Sequence, residues 1–317
     1  MDRKNSFAGF IKKGGWIAII DALLICALLF GFAYLHHGSV TEETGARLVS
    51  CRDGVTLKLE NGFEAAYAES DTGVFEFEGR FTASLAETVT NGDTTYYRSE
   101  GCEIAITKYN IATGSVQVAD VYVSDIALFK TALANSAYGK GQREDPLVMA
   151  RRYDAAFAIT GDNYSERYGG VVMRNGVLYS DEIDRDVCVL NWDGTVDMYT
   201  QTDFDLPSVM EKGAYQIWSY GPILLEDGKP AEEMITDMIA PSRRAAFGYF
   251  EPGHYCFVIM DGEVTLEDMA NTLDVLGCES GYALYGGRLA EMEFGGITIS
   301  TPQEVDRACG DIIMIVK

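Results

Sequence analysis

Apolar and polar residues alternate along much of this chain, in short stretches separated by turn sequences. The stretches EIAITKYN and SVQVADVYVSD have the two-residue period of a half-buried strand and predict two neighbouring strands. The apolar run DIIMIVK predicts a buried strand, and AYQIWSYGPILLEDGK a strand that breaks at Gly221-Pro222. Tight turns between strands are predicted at Asn61-Gly62, Asn91-Gly92, Asn175-Gly176, Asp193-Gly194 and Pro252-Gly253.

Helical patterns occur in two places. In TLEDMANTLDVLG, Thr265 is a suitable N-cap, apolar residues recur at three- and four-residue intervals, and Gly277 ends the helix. In EDPLVMARRY, Pro146 suits the first turn of a helix. Strands therefore dominate, and the sequence predicts an α+β fold in which a few helices accompany mixed β-sheets.

A strongly apolar segment lies near the N-terminus. Residues 14–35 contain one charged residue, Asp21, and about 20 apolar residues span a bilayer as a helix. Basic residues precede the segment and acidic residues follow it, which places the N-terminus in the cytoplasm and the rest outside. A cleaved signal peptide is the alternative, but the apolar stretch is too long and no small-x-small cleavage site follows. We therefore predict a single-pass protein of the cell membrane whose C-terminal domain is extracytoplasmic.

The predicted organisation has four parts. They are a basic cytoplasmic N-terminus (1–13), a transmembrane anchor (14–35), a stalk with a membrane-proximal β-rich segment (36–95) and a larger domain (96–317). The formal net charge is −23, and nucleic-acid binding requires a basic surface. This charge excludes a nucleic-acid partner.

The seven cysteines have neither zinc-ligand spacing nor histidine neighbours. Cys256 and Cys278 lie in apolar surroundings and are expected to be buried thiols rather than a bridge. Cys51 and Cys102 are the pair to test first for a disulfide.

Familiar catalytic motifs are missing from the sequence. There is no G-x-S-x-G, no H-E-x-x-H and no P-loop, and the globular part contains a single histidine, His254. A hydrolytic site would therefore have to use carboxylates, arginine and backbone dipoles.

Five blocks of sequence, taken in order, resemble the phosphodiester glycosidase family. They are VADVYVSDIALFKTALANSAYG, AFAITGDNYSERYGGVVMRNGVLY, IWSYGPILLEDGK, SRRAAFGYFEPGHYCFVIMDGE and TLEDMANTLDVLGCESGYALYGGRLAEM. The resemblance covers residue 95 onwards. It implies a hydrolase of sugar phosphodiesters. Whether a divalent cation takes part is left open, and the identity of any metal is unknown.

The resemblance also assigns site residues. Cleavage of a phosphodiester needs an acid or base and positive charge on the phosphate. Asp162 is expected to act as a base or to ligate a cation, Arg244 to clamp phosphate, and His254 to belong to the catalytic group. The expected substrate-binding residues are Thr160, Gly161, Tyr285, Gly286, Gly287 and Arg288. Four of these residues also have a structural interpretation: Asp162 as a turn residue, Arg244 as an ion-pair partner, His254 as a turn or core histidine, and Tyr285 as a packed ring.

Several motif positions carry substitutions. Thr160 and Ala283 replace asparagines of the family pattern, Ala245 replaces a threonine, and Tyr285 replaces an aspartate. Arg288, Leu289 and Ala290 replace a glycine and two serines. Losing one acid–base group costs orders of magnitude in rate. We therefore predict a protein that binds a cell-surface glycan or sugar phosphodiester with impaired catalysis. The alternative is an active hydrolase of N-acetylglucosamine-1-phosphodiesters.

Overall fold

The chain folds mainly as antiparallel β-sheets. The computed structural model describes residues 56–58, 64–66, 73–82, 87–111, 114–162, 164–166, 169–231, 242–285, 287–300 and 308–317. All of them lie in one compact unit, Glu43–Lys317. None of the helices within these ranges has the length and apolar character needed to cross a membrane. The predicted anchor at 14–35 lies outside the described residues.

A nine-stranded sheet forms the centre of this unit, in the order β15-β14-β18-β16-β17-β6-β5-β4-β3. Its strands are β3 (Glu87–Asn91), β4 (Thr94–Arg98), β5 (Cys102–Ile111), β6 (Gly114–Val123), β14 (Ile223–Glu226), β15 (Lys229–Pro230), β16 (Ser242–Glu251), β17 (His254–Val264) and β18 (Ser280–Leu284). The two alternating stretches predicted to be neighbours are β5 and β6, which pair along their whole length.

Two five-stranded sheets pack against one face of the large sheet. The first has the order β10-β9-β13-β11-β12 and the second β20-β19-β8-β21-β7. The first contains β9 (Val171–Arg174), β10 (Val177–Asp181), β11 (Val187–Asn191), β12 (Val196–Tyr199) and β13 (Ala214–Trp218). The second contains β7 (Phe129–Leu133), β8 (Ala155–Thr160), β19 (Met292–Phe294), β20 (Ile297–Ser300) and β21 (Asp311–Val316). A separate pair consists of β1 (Thr56–Lys58) and β2 (Glu64–Ala66).

The predicted turn sequences connect these strands as expected. Asn175 and Gly176 join β9 to β10 with φ values of 51° and 79°, the left-handed pair that a type I′ turn requires. Strands also flank the predicted turns at 91–92, 193–194 and 252–253. The dipeptide Asn61-Gly62 lies outside the described residues.

The described part of the chain contains three short α-helices. They are α1 (Pro146–Arg152), α2 (Leu206–Lys212) and α3 (Leu266–Leu276). Helix α3 has the predicted cap, because the Thr265 hydroxyl and the Asp268 carboxylate each accept the other's backbone N–H. The sequence also predicted α1, but it did not predict α2.

The core follows the alternation of each strand. Phe247 and Phe257 face the two smaller sheets and join the largest apolar cluster, which also contains Ile217 and Ile313. Their neighbours Ala246 and Val258 face the opposite side, where α3 covers the sheet with Met269 and Leu273. A third cluster packs α1 on β8 and β21.

The sheets differ from the prediction in one respect. Every strand pair among the described residues is antiparallel, so the expectation of mixed sheets is wrong. Parallel neighbours need a crossover of a dozen or more residues, which is usually helical. Here hairpins connect several pairs of successive strands, such as β9–β10 and β16–β17, and hairpins produce antiparallel pairs.

Candidate functional site

Four pieces of backbone meet where β8, β13 and β18 end and β16 begins. The N–H of Tyr285, after β18, donates to the carbonyl of Gly161, after β8, over 3.0 Å. The N–H of Ser219, after β13, donates to Asp162 Oδ2 over 3.2 Å. The β16 residue Ala245 pairs with Leu284 of β18. The turn segments that the family resemblance singled out therefore lie side by side.

A cavity of about 460 Å³ opens at this meeting point. It is lined by Asp184, Arg185, Asp186, Gln201, Tyr220, Gly221, Pro222, Arg244, Ala245, Leu266, Ala283, Leu284 and Gly287. Small-molecule sites in proteins commonly have volumes of about 300–1,000 Å³ and a few charged groups among apolar residues. The cavity has both properties.

Arg244 contributes a buried cationic group to the wall of this cavity. Its side chain is held near the start of β16 by a hydrogen bond from Nε to the carbonyl of Val264, 3.3 Å away. Burial lowers the pKa of Arg244. A guanidinium that has lost part of its hydration gains more from an anion than an exposed one does, and its planar fork fits phosphate oxygens. The position suits the phosphate clamp predicted for it.

Asp162 lies beneath the cavity rather than in its wall. The residue is fully buried, and its Oδ2 is 3.3 Å from Arg174 Nη2. Arg174 Nε also contacts Asp311 Oδ2 at 2.7 Å, so one arginine holds two carboxylates. This arrangement gives Asp162 a structural role, in fixing the turn after β8, and leaves it without direct access to a ligand in the cavity.

Asp311 and Gly161 complete the buried group. The Asp311 carboxylate accepts the N–H of Asp162 at 2.7 Å, and the Asp311 carbonyl accepts the N–H of Gly161 at 3.0 Å. A Cβ at position 161 would lie 2.6 Å from Asp311 Oδ1, which accounts for the glycine there. Burial raises the pKa of Asp311 to about 6, against the opposing effect of Arg174. Arg174 and Asp311 were not among the predicted site residues.

Thr160 supports the same turn from the other side. Its hydroxyl oxygen accepts the N–H of Glu291 at 2.8 Å, and the N–H of Thr160 donates to the Glu291 carbonyl at 3.1 Å. Thr160 is completely buried and does not line the cavity. It therefore links β8 to the segment before β19.

The Tyr285 side chain does not line the cavity. Its hydroxyl donates to Glu166 Oε2 at 2.9 Å, and Glu166 pairs with Arg143 at 2.6 Å. Burial and the bond to Glu166 raise the pKa of Tyr285 above its ordinary value. The ring meets the edge of Tyr220, with centroids 5.6 Å apart. Tyr285 thus fills the turn and supports Tyr220, which does line the cavity.

The rest of the predicted turn is described in part. Gly287 lines the cavity, as Ala283 does on the preceding strand. Gly286 and the side chain of Arg288 lie outside what the structure describes. The substrate-binding role predicted for these two residues stays a prediction.

His254 is remote from the cavity. It begins β17, six residues before Met260, the β17 partner of Arg244 in register, which corresponds to about 20 Å along a strand. Its Nε2 is 2.7 Å from Asp120 Oδ1, and its ring stacks on Tyr122 with centroids 3.8 Å apart. The structure therefore does not bring His254 together with the other predicted site residues.

Two carboxylates in the cavity were missed by sequence reasoning. Asp184 and Asp186 lie in the loop between β10 and β11, together with Arg185. Asp186 Oδ2 accepts the N–H of Ile223 at 3.2 Å, which ties this loop to β14. An acidic loop has no periodicity that would distinguish these residues from the other acids of the chain. Three-dimensional structure was needed to find them.

The described residues contain no group of three or more His, Cys, Asp or Glu side chains arranged to hold a metal ion. The divalent cation that the family resemblance leaves open therefore gains no ligand set from this part of the chain.

The family model described as phosphodiester glycosidase matches residues 153–316, just over half of the chain. This chain belongs to the phosphodiester glycosidase family, as the five sequence blocks predicted.

Individual relatives add the fold. A SPbeta prophage-derived uncharacterized protein of Bacillus subtilis (strain 168), YomE, is 27% identical over 236 residues, which is 68% of this chain. The matched region spans 36% of that relative's length. The catalytic domain of zebrafish N-acetylglucosamine-1-phosphodiester alpha-N-acetylglucosaminidase, auto-inhibited by its pro-peptide, aligns with a TM-score of 0.53 and 18% identity. That alignment covers 73% of this chain and 88% of the zebrafish chain.

A hypothetical protein from Synechocystis aligns with a TM-score of 0.52 and 13% identity, over 73% of this chain and 64% of its own. At these identities the two solved structures establish a shared fold.

Proposed function

We propose that this chain is a membrane-anchored, extracytoplasmic phosphodiester-glycosidase-like protein that binds sugar phosphodiesters of cell-surface glycans and hydrolyses them poorly. The observation that carries the proposal is the composition of the cavity. Arg244 lines the cavity, whereas Ala283 in the lining and Tyr285 just beyond it stand where the family pattern has an asparagine and an aspartate. The cavity therefore keeps a group that can bind phosphate but lacks the side chains that the family pattern provides for hydrolysis.

The binding half of the proposal rests on charge and size. Arg244 and Arg185 both line the cavity, and a guanidinium can meet phosphate oxygens with parallel N–H donors. A volume of about 460 Å³ is enough for a monosaccharide with its phosphate. Tyr220 also lines the cavity, and apolar ring faces suit sugar C–H groups.

Poor hydrolysis is expected because the cavity lacks a carboxyl group at position 285 that could donate a proton. The Tyr285 hydroxyl is bonded to Glu166, and its raised pKa makes it a poor proton donor at neutral pH. Asp162 is buried against Arg174 and Ser219. Neither group can give a proton to a leaving oxygen in the cavity without a rearrangement.

One observation favours a second candidate, an active hydrolase. Asp184 and Asp186 line the same cavity as Arg244. Glycosidic cleavage generally uses two carboxyl groups, one to protonate the leaving oxygen and one to act as nucleophile or base. In this alternative Asp184 and Asp186 supply the carboxyl groups for hydrolysis, in place of the aspartate that the family pattern has at position 285.

Binding and turnover of an N-acetylglucosamine-1-phosphodiester by the full chain in detergent distinguish the two candidates. The variants are Arg244→Ala, the double Asp184→Asn, Asp186→Asn, and the restored Ala283→Asn, Tyr285→Asp. Asp274→Asn, on the exposed face of α3, is the matched control. Each protein is assayed with and without added divalent cations.

Binding without turnover, weakened at least about tenfold by Arg244→Ala, supports the main proposal. Turnover that disappears in Asp184→Asn, Asp186→Asn supports the active hydrolase instead. If the native chain and the restored variant both fail to bind the ligand, the proposed substrate class is wrong.

The anchor is tested separately, because the membrane proposal rests on residues 14–35 alone. The full chain should stay with membranes after alkaline carbonate washing, and external protease should digest residues beyond 36 in intact cells lacking an outer barrier. Protection of the C-terminal domain from protease would overturn the proposed orientation.

A further inference from the structure

Two buried sulfur atoms meet on the side of the large sheet that α3 covers. Cys256 lies in β17 and Cys278 directly after the glycine that ends α3. Their Sγ atoms are 3.5 Å apart, and the two residues are 1% and 2% exposed. The apolar surroundings in the sequence predict buried thiols rather than a bridge, and the structure puts the two sulfur atoms in contact.

The space for this contact comes from a glycine on the neighbouring strand. Gly248 of β16 pairs with Cys256 of β17. A Cβ added at position 248 would lie 2.6 Å from Cys256 Sγ and 2.7 Å from Cys278 Sγ. Carbon and sulfur cannot approach so closely, so a larger residue at position 248 would displace the sulfur atoms from their present positions. The sheet is thus built around both sulfur atoms together.

We propose that Cys256 and Cys278 are joined by a disulfide in the mature protein. The reaction needs a thiol–disulfide oxidant, such as oxidised glutathione or a disulfide oxidoreductase. One cysteine thiolate attacks the oxidant's disulfide and releases one reduced thiol, which leaves a mixed disulfide. The second cysteine thiolate then attacks the protein sulfur, forms the Sγ–Sγ bond and releases the second thiol. Two cysteine protons are lost, and the oxidant takes up two electrons.

The timing of bridge formation follows from the burial. The hydrogen bond to Cys278 and the apolar surroundings raise the pKa of Cys256 well above its ordinary value. Thiolates are the reactive form, and an oxidant cannot reach these sulfurs once α3 covers the sheet. The bridge therefore forms during folding, before α3 closes over β17.

The bridge would reinforce one wall of the cavity. The cysteines are 22 residues apart, and the loop between them contains the end of β17 and all of α3. Within that loop, the Val264 carbonyl accepts a hydrogen bond from Arg244 Nε, and Leu266 lines the cavity. Closing the loop restricts the unfolded chain more than the folded one, which stabilises the segment that positions Arg244.

The test is refolding of the full chain in detergent, from denaturant and dithiothreitol, with either reduced glutathione alone or a mixture of reduced and oxidised glutathione. Free thiols are then blocked with N-ethylmaleimide in denaturant, and peptides are mapped by mass spectrometry. We expect the oxidised sample to contain peptides joined through Cys256 and Cys278, lacking two hydrogens. Cys188 and Cys309 are buried comparators that should carry the blocking group.

A second measurement links the bridge to stability. The oxidised chain should melt roughly 5–10 °C above the reduced chain, and the double variant Cys256→Ala, Cys278→Ala should lose this difference while Cys188→Ala keeps it. Blocked thiols at both positions after oxidative refolding, or a bridge from either cysteine to another partner, would overturn the proposal. So would an unchanged redox-dependent shift in the double variant. If that variant fails to fold, the peptide map of the native chain decides.

Discussion

The backbone N–H of Tyr285 donates to the carbonyl of Gly161 over 3.0 Å, although the two residues follow strands of different sheets. This bond joins the turn after β18 to the turn after β8, directly beside the cavity. It depends on backbone atoms, so substitution of the Tyr285 side chain does not remove it. The turn therefore keeps its place in the fold while its side-chain chemistry differs from the family pattern.

Replacing Tyr285 by phenylalanine should lower the free energy of unfolding by about 1 kcal/mol, because the bond from its hydroxyl to Glu166 is lost and the ring packing stays. Urea unfolding measures the effect, with Tyr109→Phe at an exposed position as control. Glu166 retains Arg143, so no uncompensated charge is created. A loss above about 3 kcal/mol would contradict this account of Tyr285.

Replacing Arg174 by methionine should lower the free energy of unfolding by about 3–5 kcal/mol, because two buried carboxylates lose their shared cation. Adding Asp311→Asn to Arg174→Met should recover part of the loss, since one of the buried charges is then gone. Arg151→Met, at an exposed position on α1, provides the control. Equal unfolding free energies for Arg174→Met and the control would show that the buried group adds little stability.

A second acidic pair predicts a pH dependence of stability. Glu291 and Glu293 are buried, and the Thr298 hydroxyl lies 3.2 Å and 3.0 Å from their respective Oε1 atoms. Burial and the bond to Glu291 raise the pKa of Glu293 to about 9. The folded chain therefore keeps a proton that the unfolded chain releases near pH 4.5, and stability falls as the pH rises between these values.

The variant Glu293→Gln should remove this dependence. Relative to it, the native chain should lose roughly 1 kcal/mol of unfolding free energy per pH unit between pH 6 and 8. Urea titrations at pH 6, 7 and 8 measure the slope, and Glu211→Gln on the exposed side of α2 should retain the native slope. Parallel pH profiles for the native chain and Glu293→Gln would refute the assignment of the proton.

Replacing His254 by alanine should cost about 1–2 kcal/mol of stability, because the contacts with Asp120 and Tyr122 are lost. Affinity for a sugar phosphodiester should change less than twofold, since the cavity lies at the other end of the β16–β17 hairpin. Isothermal titration calorimetry measures the affinity of His254→Ala and of Arg244→Ala for the same ligand, and only Arg244→Ala should bind it more weakly. A tenfold loss of affinity in His254→Ala would restore His254 to the site.

Local sequence codes predicted many of the individual elements. The turn at Asn175-Gly176 and the capped helix α3 each depend on a few adjacent residues, and both formed as expected. Helix α2 escaped notice although Asp205 caps it and Gly213 ends it in the left-handed conformation. Seven residues make two turns, too few for a clear helical period, and burial of its apolar residues against the core holds it in place.

The site was predictable only in part, for a related reason. The motifs located Arg244 and the turn at 285–287, because the family pattern marks them directly. The burial of Asp162 depends on Arg174 and on Asp311, which is 149 residues away in sequence from Asp162. No local pattern reveals which of 48 acids will meet a given arginine. The same limit applies to Asp184 and Asp186.

The pairing of β8 with β21 has a consequence for how the protein is made. Ile159 lies opposite Ile313, so a long stretch of chain must be synthesised and ordered before these strands can meet. Folds dominated by such distant pairings have high contact order and form slowly. Until β21 pairs with β8, Gly161 and Asp162 lack their hydrogen bonds to Asp311. The backbone beneath the cavity is therefore among the last parts of the molecule to become ordered.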